Sequence, residues 1–363
     1  MESELGASED IHLVKSEDHY VSRKSLEEFP SVFAVIVGYG NKKELVSTAQ
    51  HLLALPYCNL SVIAVDNDEG ECEGITKIGE RLELVCTGLN RGFASACNVG
   101  ICLALERNAK FVFLLNDDAM AAIYCIDRIV KSLTKNPNIG LACPTVFSEG
   151  LIAVEAAGGW FNRWVSLTLH NKVVKPQDGV SSTDVKVDFA PGVALMVRAD
   201  ALKKVGFLDT RYFMYLEDLD LSIRMKRAGY SVACVAEAYV SHITSSTSKR
   251  YPGLKEYYMM RNRFILCLLL GRRIQLVTVA LSTPWVLLLR VLRKLPRPNP
   301  DELKGLYYGI VDGMKLDYGP SSREAYTPSS PEGRRPTPSN RRTRSPVAEL
   351  VRPSHGDEER ANP

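Results

Sequence analysis

VFAVIVGYGNKKELVSTAQHLLALPYCNLSVIAVDNDEG, residues 32–70, is the stretch on which the fold turns. It opens on a short apolar run, VFAVIV (32–37), and returns to one at LSVIAV (60–65), with a helical pattern over Lys42–Leu55 between them. Strands that are almost continuously apolar have both faces covered, the condition of a parallel sheet flanked by helices. The alternation continues downstream. LELVC (82–86), FVFLL (111–115) and GLACP (140–144) are further short runs, and Phe93–Asn108 and Ile123–Lys135 are further helical patterns. Strands and helices in turn predict βαβ units wound into one mostly parallel α/β sheet with helices on both faces.

Beyond that core the character changes. AAGGWFNRWVSLTLHNKVV (156–174) mixes aromatics, glycines and polar alternation, which predicts strands or a hairpin covering a cleft. Lys186–Arg198 has strand character broken by Pro191-Gly192. Leu216–Ala228 reads as a helix: Leu216, Leu219 and Ile223 recur at helical spacing, Asp220 and Arg224 form an i,i+4 pair, and Gly229 is a stop. Farther on, Ile274–Leu289 is uncharged and bracketed by Arg272, Arg273, Arg290, Arg293 and Lys294. It falls short of the roughly 18–20 apolar residues that span a bilayer. It reads as an interfacial helix over 272–294, with basic flanks toward anionic lipid and Trp285 at the headgroup level, or else as a buried core helix. Residues 1–30 read as a flexible lead-in. Residues 320–363, rich in Pro, Ser, Arg and Glu, read as a tail that buries too little to offset chain entropy.

Composition bounds the function. The chain has 363 residues, 45% hydrophobic and 24% charged, as ordinary globular proteins do. A formal net charge of +3 gives no footprint for a nucleic-acid partner. The nine cysteines form no CxxC pair, which argues against a disulfide framework or zinc site and for a reducing, cytoplasmic compartment. The polar start MESELGASEDIHLVKSEDHY lacks the basic and apolar regions of a signal peptide.

Five clusters carry chemistry. In VDNDEG, Asp66 and Asn67 follow the second strand, where a carboxylate and an amide can meet a base edge or ribose, or simply form a turn. In GLNRGFASACNVG, Gly92 and Asn98 belong to a small-residue loop opening a helix. It suits either backbone N–H contact with a ligand or tight helix–sheet packing. FVFLLNDDAM ends a strong strand on Asn116-Asp117-Asp118, hard oxygen ligands for Mg2+ or Mn2+ at the sheet's edge, or a strand-end turn. FMYLEDLD places Glu217 and Asp218 at a helix start, beside an apolar wall that raises carboxylate basicity as a catalytic base requires; as bland capping acids they would need only the helix dipole. VSHITSSTSKR offers His242 as a metal ligand or a structural histidine, followed by a hydroxyl-rich basic loop suited to phosphate.

In this order the clusters resemble the family 2 glycosyltransferases, particularly their rhamnosyltransferase-like and galactofuranosyltransferase-like branch. The resemblance runs from Val32 to Arg263 and loosely to Gly319. Its most specific parts are APG (190–192), VGFLD (205–209), FMYLEDLDLSIRMKRAGY (213–230), the His242 loop and YYMMRNR (257–263). It implies a GT-A fold, Rossmann-like, with a C-terminal helical extension at a membrane face, and single-displacement chemistry that inverts the anomeric centre. Asp66 would contact the nucleotide base, with Asn67, Gly92, Asn98, Asn116 and Asp117 completing the donor site. Asp118 and His242 would hold Mg2+ or Mn2+. Asp218 would be the general base, with Glu217 and Asp220 orienting the acceptor or the base. The implied partners are a UDP-, dTDP- or GDP-linked sugar donor and a glycan or polyprenyl-linked glycan acceptor. The implied organisation is a transferase domain over 31–263, split into a nucleotide-sugar half (31–145) and an acceptor half (146–263), then a helical extension over 264–319. Two departures stand out: an amide, Asn116, opens the motif where the family carries DxD, and Asp68-Glu69-Gly70 follows the VDN turn where the family carries Gly or Ser and then an acid.

Two other readings compete. A sugar-nucleotide cytidylyl- or uridylyltransferase needs a long glycine-rich loop after the first strand, where this chain has GYGNKKEL. A degenerate binding or scaffold protein is favoured by Asn116 and opposed by the presence together of Asp118, Glu217, Asp218 and His242.

Overall fold

The computed structural model describes residues 13–16, 19–22, 29–70, 73–148, 153–172, 184–243, 251–270, 273–294, 298–321 and 323. Strands β1 (Leu13–Ser16) and β2 (His19–Ser22) form a separate antiparallel pair within the expected flexible lead-in. The main sheet is built from β3 (Val32–Gly38), β4 (Leu60–Asp66), β5 (Glu73–Lys77), β6 (Leu82–Thr87), β7 (Phe111–Asn116), β8 (Ala119–Ala121), β9 (Ile139–Ser148) and β10 (Val154–Ala156). A two-stranded hairpin, β11 (Gly159–Asn162) and β12 (Leu167–His170), stands apart, and β13 (Val185–Lys186), β14 (Ala194–Arg198) and β15 (Ser231–His242) return to the sheet. The helices are α1 (Lys42–Leu53), α2 (Phe93–Glu106), α3 (Cys125–Lys135), α4 (Ala199–Val205), α5 (Glu217–Arg227), α6 (Leu254–Leu269), α7 (Arg273–Lys294) and α8 (Pro300–Met314).

The eleven strands follow the order β13-β15-β9-β14-β7-β3-β4-β6-β5, with β8 on β15 and β10 on β9. Helices cover both faces. One core layer joins Leu45, Ala49 and Leu52 of α1 to Ile126, Ile129 and Leu133 of α3, and the other joins α2 to Leu202 of α4 and Met225 of α5. This is the mostly parallel, doubly wound α/β architecture expected.

Register positions the site. β3 pairs in parallel with β4 and with β7, so Gly38, Asp66 and Asn116 end at nearly one level. The chain leaves β3 to one side for β4 and β6 and returns on its other side as β7. The crevice at such a reversal, beyond the carboxyl ends of the strands, is where open α/β sheets bind ligands. One expectation differs in detail: GLACP lies in β9, yet β9 is not β7's neighbour. Antiparallel β14 sits between them, pairing Met196 with both Phe113 and Ala142. That pairing joins segments far apart in sequence, so no local pattern announces it.

After the sheet, α8 lies against α6 through glycines four residues apart. A Cβ at Gly305 would stand 2.3 Å from Gly253 O, and one at Gly309 would stand 2.4 Å from Tyr257 O. Asn299 caps α8 by accepting from Asp301 N–H, with Pro300 in the first turn. α7 is two-sided. Gln275, Val279, Thr283 and Val286 are buried, while Ile274, Val277, Leu281, Trp285, Leu288 and Leu292 form an exposed apolar stripe. By length and composition Ile274–Leu292, 19 residues, is long enough to cross a bilayer. The sequence reading stopped short because it ended the apolar run at Arg290, whereas the helix continues beyond it. The chain is also held later than the expected tail boundary at 320: Ser321 N–H donates to Tyr258 Oη at 3.0 Å, and Arg323 binds both Asp312 oxygens at 2.8 Å. Residues 324–363, and the basic loop 244–250, lie outside the described residues.

Candidate active site

A cavity of about 470 Å³ opens at the carboxyl edge of β3 and β7, roofed by the β11–β12 hairpin and the start of α5. Asn67, Gly92, Asn116, Asp117, Asp118, Glu217, Asp218 and His242 all line it. A larger groove of about 810 Å³ at the sheet's far edge, beside Lys131 and Asp184, contains none of these residues.

Asp118 follows β7 by two residues, and His242 closes β15, which pairs with β8 so that His242 lies opposite Ala119. The strand pairing therefore brings His242 beside Asp118, with Nε2 and Oδ1 3.3 Å apart. Both atoms are buried, and neither has an aligned hydrogen bond. The opposite ring nitrogen, Nδ1, lies 3.0 Å from Glu155 Oε2. Burial alone would lower the imidazole pKa, but the flanking Asp118 and Glu155 outweigh it and bring His242 to about 9. Asp117 behaves differently from its neighbour. Burial, then Asp118 and Glu44, push its carboxyl up to about 8, so it keeps its proton at neutral pH. Among the described residues no three His, Cys, Asp or Glu side chains converge on one point.

At the start of α5, Asp218 Oδ2 accepts from Gly192 N–H at 2.7 Å and Oδ1 from Leu219 N–H at 2.7 Å. A Cβ at Gly192 would stand 3.3 Å from Asp218 Oδ2, a tight contact to which the carboxylate would have to yield. Glu217 is only 4% exposed and its Oε2 has no hydrogen-bond partner. Burial raises both carboxyls, Glu217 well above its ordinary range with Asp218 adding to the effect. The N–H bonds of Gly192 and Leu219 stabilise charge on Asp218 and oppose the effect of burial there, so a proton shared by the pair favours Glu217.

The loop from Asn90 to Gly92 is shaped from within. Asn67 accepts from Arg91 N–H at 3.0 Å and donates to Asn90 Oδ1 at 3.1 Å, which in turn accepts from Gly92 N–H at 3.0 Å. Gly92, at φ 80°, tolerates no side chain: a Cβ would stand 2.5 Å from the Phe213 ring.

Three of the expected site residues lie off the cavity wall. Asn98 is consumed elsewhere, exchanging hydrogen bonds with the Leu208 backbone at 2.8 and 3.1 Å, because α2 must be tied to the VGFLD segment. Asp66 lies off the cavity wall, 3.4 Å from Lys42 Nζ and accepting from Asp68 N–H. Asp220 orients nothing in the cavity: it binds Arg224 at 2.7 Å, whose other nitrogens hold the carbonyls of Val205, Gly206 and Phe207. Conversely, Glu155, Tyr39 and His170 line the cavity and were missed. Glu155 and His170 sit in strands with no motif around them; Tyr39 stood in plain view in GYG, directly after the strand that decides the fold.

Known proteins supply the context. Residues 111–307, more than half of the chain, match the family model described as Glycosyl transferase family group 2. The chain is 25% identical over 220 residues to the N-acetylglucosaminyl-diphospho-decaprenol L-rhamnosyltransferase of Mycobacterium tuberculosis, covering 53% of this chain and 69% of that protein. It is 23% identical over 249 residues to the dTDP-rhamnosyl transferase RfbF of Shigella flexneri, covering 65% and 79% respectively. Among solved structures, the mannosyltransferase PcManGT of Pyrobaculum calidifontis, in complex with GDP-Man and Mn2+, superposes with a TM-score of 0.47 at 14% identity over 85% of this chain and 90% of that one.

Proposed function

The chain belongs to the glycosyl transferase family group 2, and on that premise we propose that it is an inverting transferase moving rhamnose from a dTDP-linked donor to a polyprenyl-diphosphate-linked glycan. The observation that carries the reading is one cavity with two differently equipped walls: the open Asp118–His242 pair on one side and the Glu217–Asp218 pair on the other. The choice of sugar and acceptor rests on the two rhamnosyltransferase relatives.

Asp118 and His242 fit a divalent cation, Mg2+ or Mn2+. Their facing atoms are buried and without aligned partners, as cation ligands left open would be. Glu155 on Nδ1 supplies the carboxylate that commonly orients a metal-binding imidazole. When bound, the ion offsets charge on the departing diphosphate. Asp218, ionised and held by two N–H groups, takes the proton of the acceptor hydroxyl as its oxygen bonds to the anomeric carbon. The bond to the diphosphate breaks on the opposite face and the electron pair leaves with it. Glu217, neutral, keeps a second charge from opposing this transfer. Thr168 and His170 of β12 line the cleft.

We assign 31–145 to donor binding, 146–263 to the acceptor side and 264–319 to a membrane-docking extension. The exposed stripe of α7 supports docking by the cytoplasmic face of a membrane: its inner face is already packed on the protein, which leaves the outer apolar face for lipid. A lipid-linked acceptor would be met there.

A thermal-shift screen tests the donor site. UDP, GDP, dTDP and CDP are each added with and without Mn2+ or Mg2+, to the full chain and to Asp118→Ala. A nucleotide at about 100 times its Kd should stabilise the fold by about 2.7 kcal/mol. The expected result is a rise with dTDP, larger with metal, with the metal increment lost in Asp118→Ala. Preference for another nucleotide would replace the donor named here. No response to any would favour the non-catalytic scaffold, for which Asn116 is the supporting residue.

A further inference from the structure

The backbone that presents Asp218 is held in a conformation its own residues do not favour. Phe213, Tyr215 and Leu216 have φ of 65°, 66° and 72°. Side chains of this size rarely adopt left-handed backbone, and they do so only where surroundings impose it. At Phe213 a local turn contributes, Met214 N–H donating to Tyr212 O at 2.8 Å, but at Leu216, the residue before α5, no side chain caps the helix.

The imposing group comes from α6. Asn262 is fully buried, and its amide nitrogen faces three carbonyls, Tyr212 O at 3.1 Å, Met214 O at 2.8 Å and Tyr215 O at 2.7 Å. Two hydrogens shared among three acceptors gather the carbonyls of a tight turn to one point. Arg261 braces the arrangement. Its Nε donates to Asn262 Oδ1 at 3.0 Å, which fixes the amide's orientation, and its Nη2 donates to Tyr212 O at 2.8 Å. The guanidinium is itself anchored by Gly319 O at 2.6 Å and lies over the rings of Tyr257 and Tyr258. From the other side, α2 contributes Ala94 N–H to Phe213 O at 3.2 Å.

We propose that Asn262, braced by Arg261, is a positioning residue that imposes the left-handed Tyr212–Leu216 turn and thereby aims the Asp218 carboxylate into the cavity. The inference rests on Asp218 being the base. Asn262 is absent from the cavity wall and acts only through the turn. It accounts for part of YYMMRNR, a motif to which neither donor chemistry nor metal chemistry gives a role.

The test compares Asn262→Ala and the isosteric Asn262→Asp with the unaltered chain, using dTDP-rhamnose and a short-chain N-acetylglucosaminyl diphosphate lipid as probes. Melting temperature, dTDP binding, kcat and KM are measured. Nucleotide binding should stay within about twofold while kcat falls by roughly 100-fold at little changed KM. Rescue supplies the decisive readout. Glycine adopts φ > 0 freely, so the kcat loss from Asn262→Ala should shrink about tenfold when measured in a Tyr215→Gly background. An equal loss in both backgrounds, an unchanged kcat, or failure of both variants to fold would each overturn the proposal. Asp218→Asn, run alongside, separates the two ideas. Retained turnover there removes the base assignment, and no transfer by the unaltered chain removes the substrate reading. An inactive Asp218→Asn beside a fully active Asn262→Ala removes only the positioning role.

Discussion

Glu217 and Asp218 are consecutive residues, yet the N–H groups of Gly192 and Leu219 go to Asp218. The difference makes Glu217 a proton store with a stability signature. Burial raises its pKa well above the ordinary 4.5, so between those values the folded chain holds a proton that the unfolded chain has released. The stabilisation this brings is whole below 4.5 and is lost as the pH rises through the folded value. Glu217→Gln, neutral at every pH, should therefore gain on the parent as pH rises. The expected gain in melting temperature at about pH 8 is on the order of 2–4 °C for each kcal/mol recovered, and the two proteins should converge near pH 4. Equal shifts at both pH values would mean that Glu217 is ionised when folded. The sequence located both acids, through their place at a helix start after an apolar run. The division between them came only from the family resemblance, because the N–H of Gly192 that distinguishes them arrives from a different strand loop.

The strands and helices of the sheet were readable because their signal is local: apolar runs of five or six residues, helical spacing between them. The C-terminal helices carry a different signal. Gly305, Gly309 and Gly313 recur every four residues, and this spacing marks the face of α8 that meets α6 backbone to backbone. A reading that weighs apolar periodicity passes over it, since glycine contributes no apolar side chain. At Gly309 a Cβ would meet the Tyr257 carbonyl at 2.4 Å, and backbone cannot swing aside as a side chain can. Gly309→Val should cost about 1–3 kcal/mol by overpacking, seen as a lower melting temperature. Because the same helix pair carries Asp312, bonded to Tyr257 Oη at 3.0 Å beside Arg261, turnover should fall with it. An unchanged melting temperature would show that the helices slide apart without loss.

At the scale of the whole molecule, the proposed function requires the cavity and the outer stripe of α7 to serve one acceptor. Leu281 and Trp285 are 72% and 70% exposed in that stripe. The full chain should co-sediment with anionic phospholipid vesicles, and Leu281→Glu with Trp285→Glu should weaken this by at least roughly 100-fold, as expected from about 1.5–3 kcal/mol for each large apolar side chain no longer buried. Transfer to a water-soluble acceptor should be unaffected. Equal sedimentation of both proteins would refute docking through this face. The sequence by itself determined the α/β class, the strand and helix positions and most of the carboxylates at the sheet's edge, because alternation, capping and strand ends are written in neighbouring residues. Only the tertiary structure decided that Asn98, Asp66 and Asp220 are tied up in bonds away from the cavity, that Glu155 stands behind His242, and that Asn262 grips the turn before Asp218. Each of these depends on which distant segments the sheet and α6 bring within hydrogen-bonding distance, and spacing along a chain does not encode that distance.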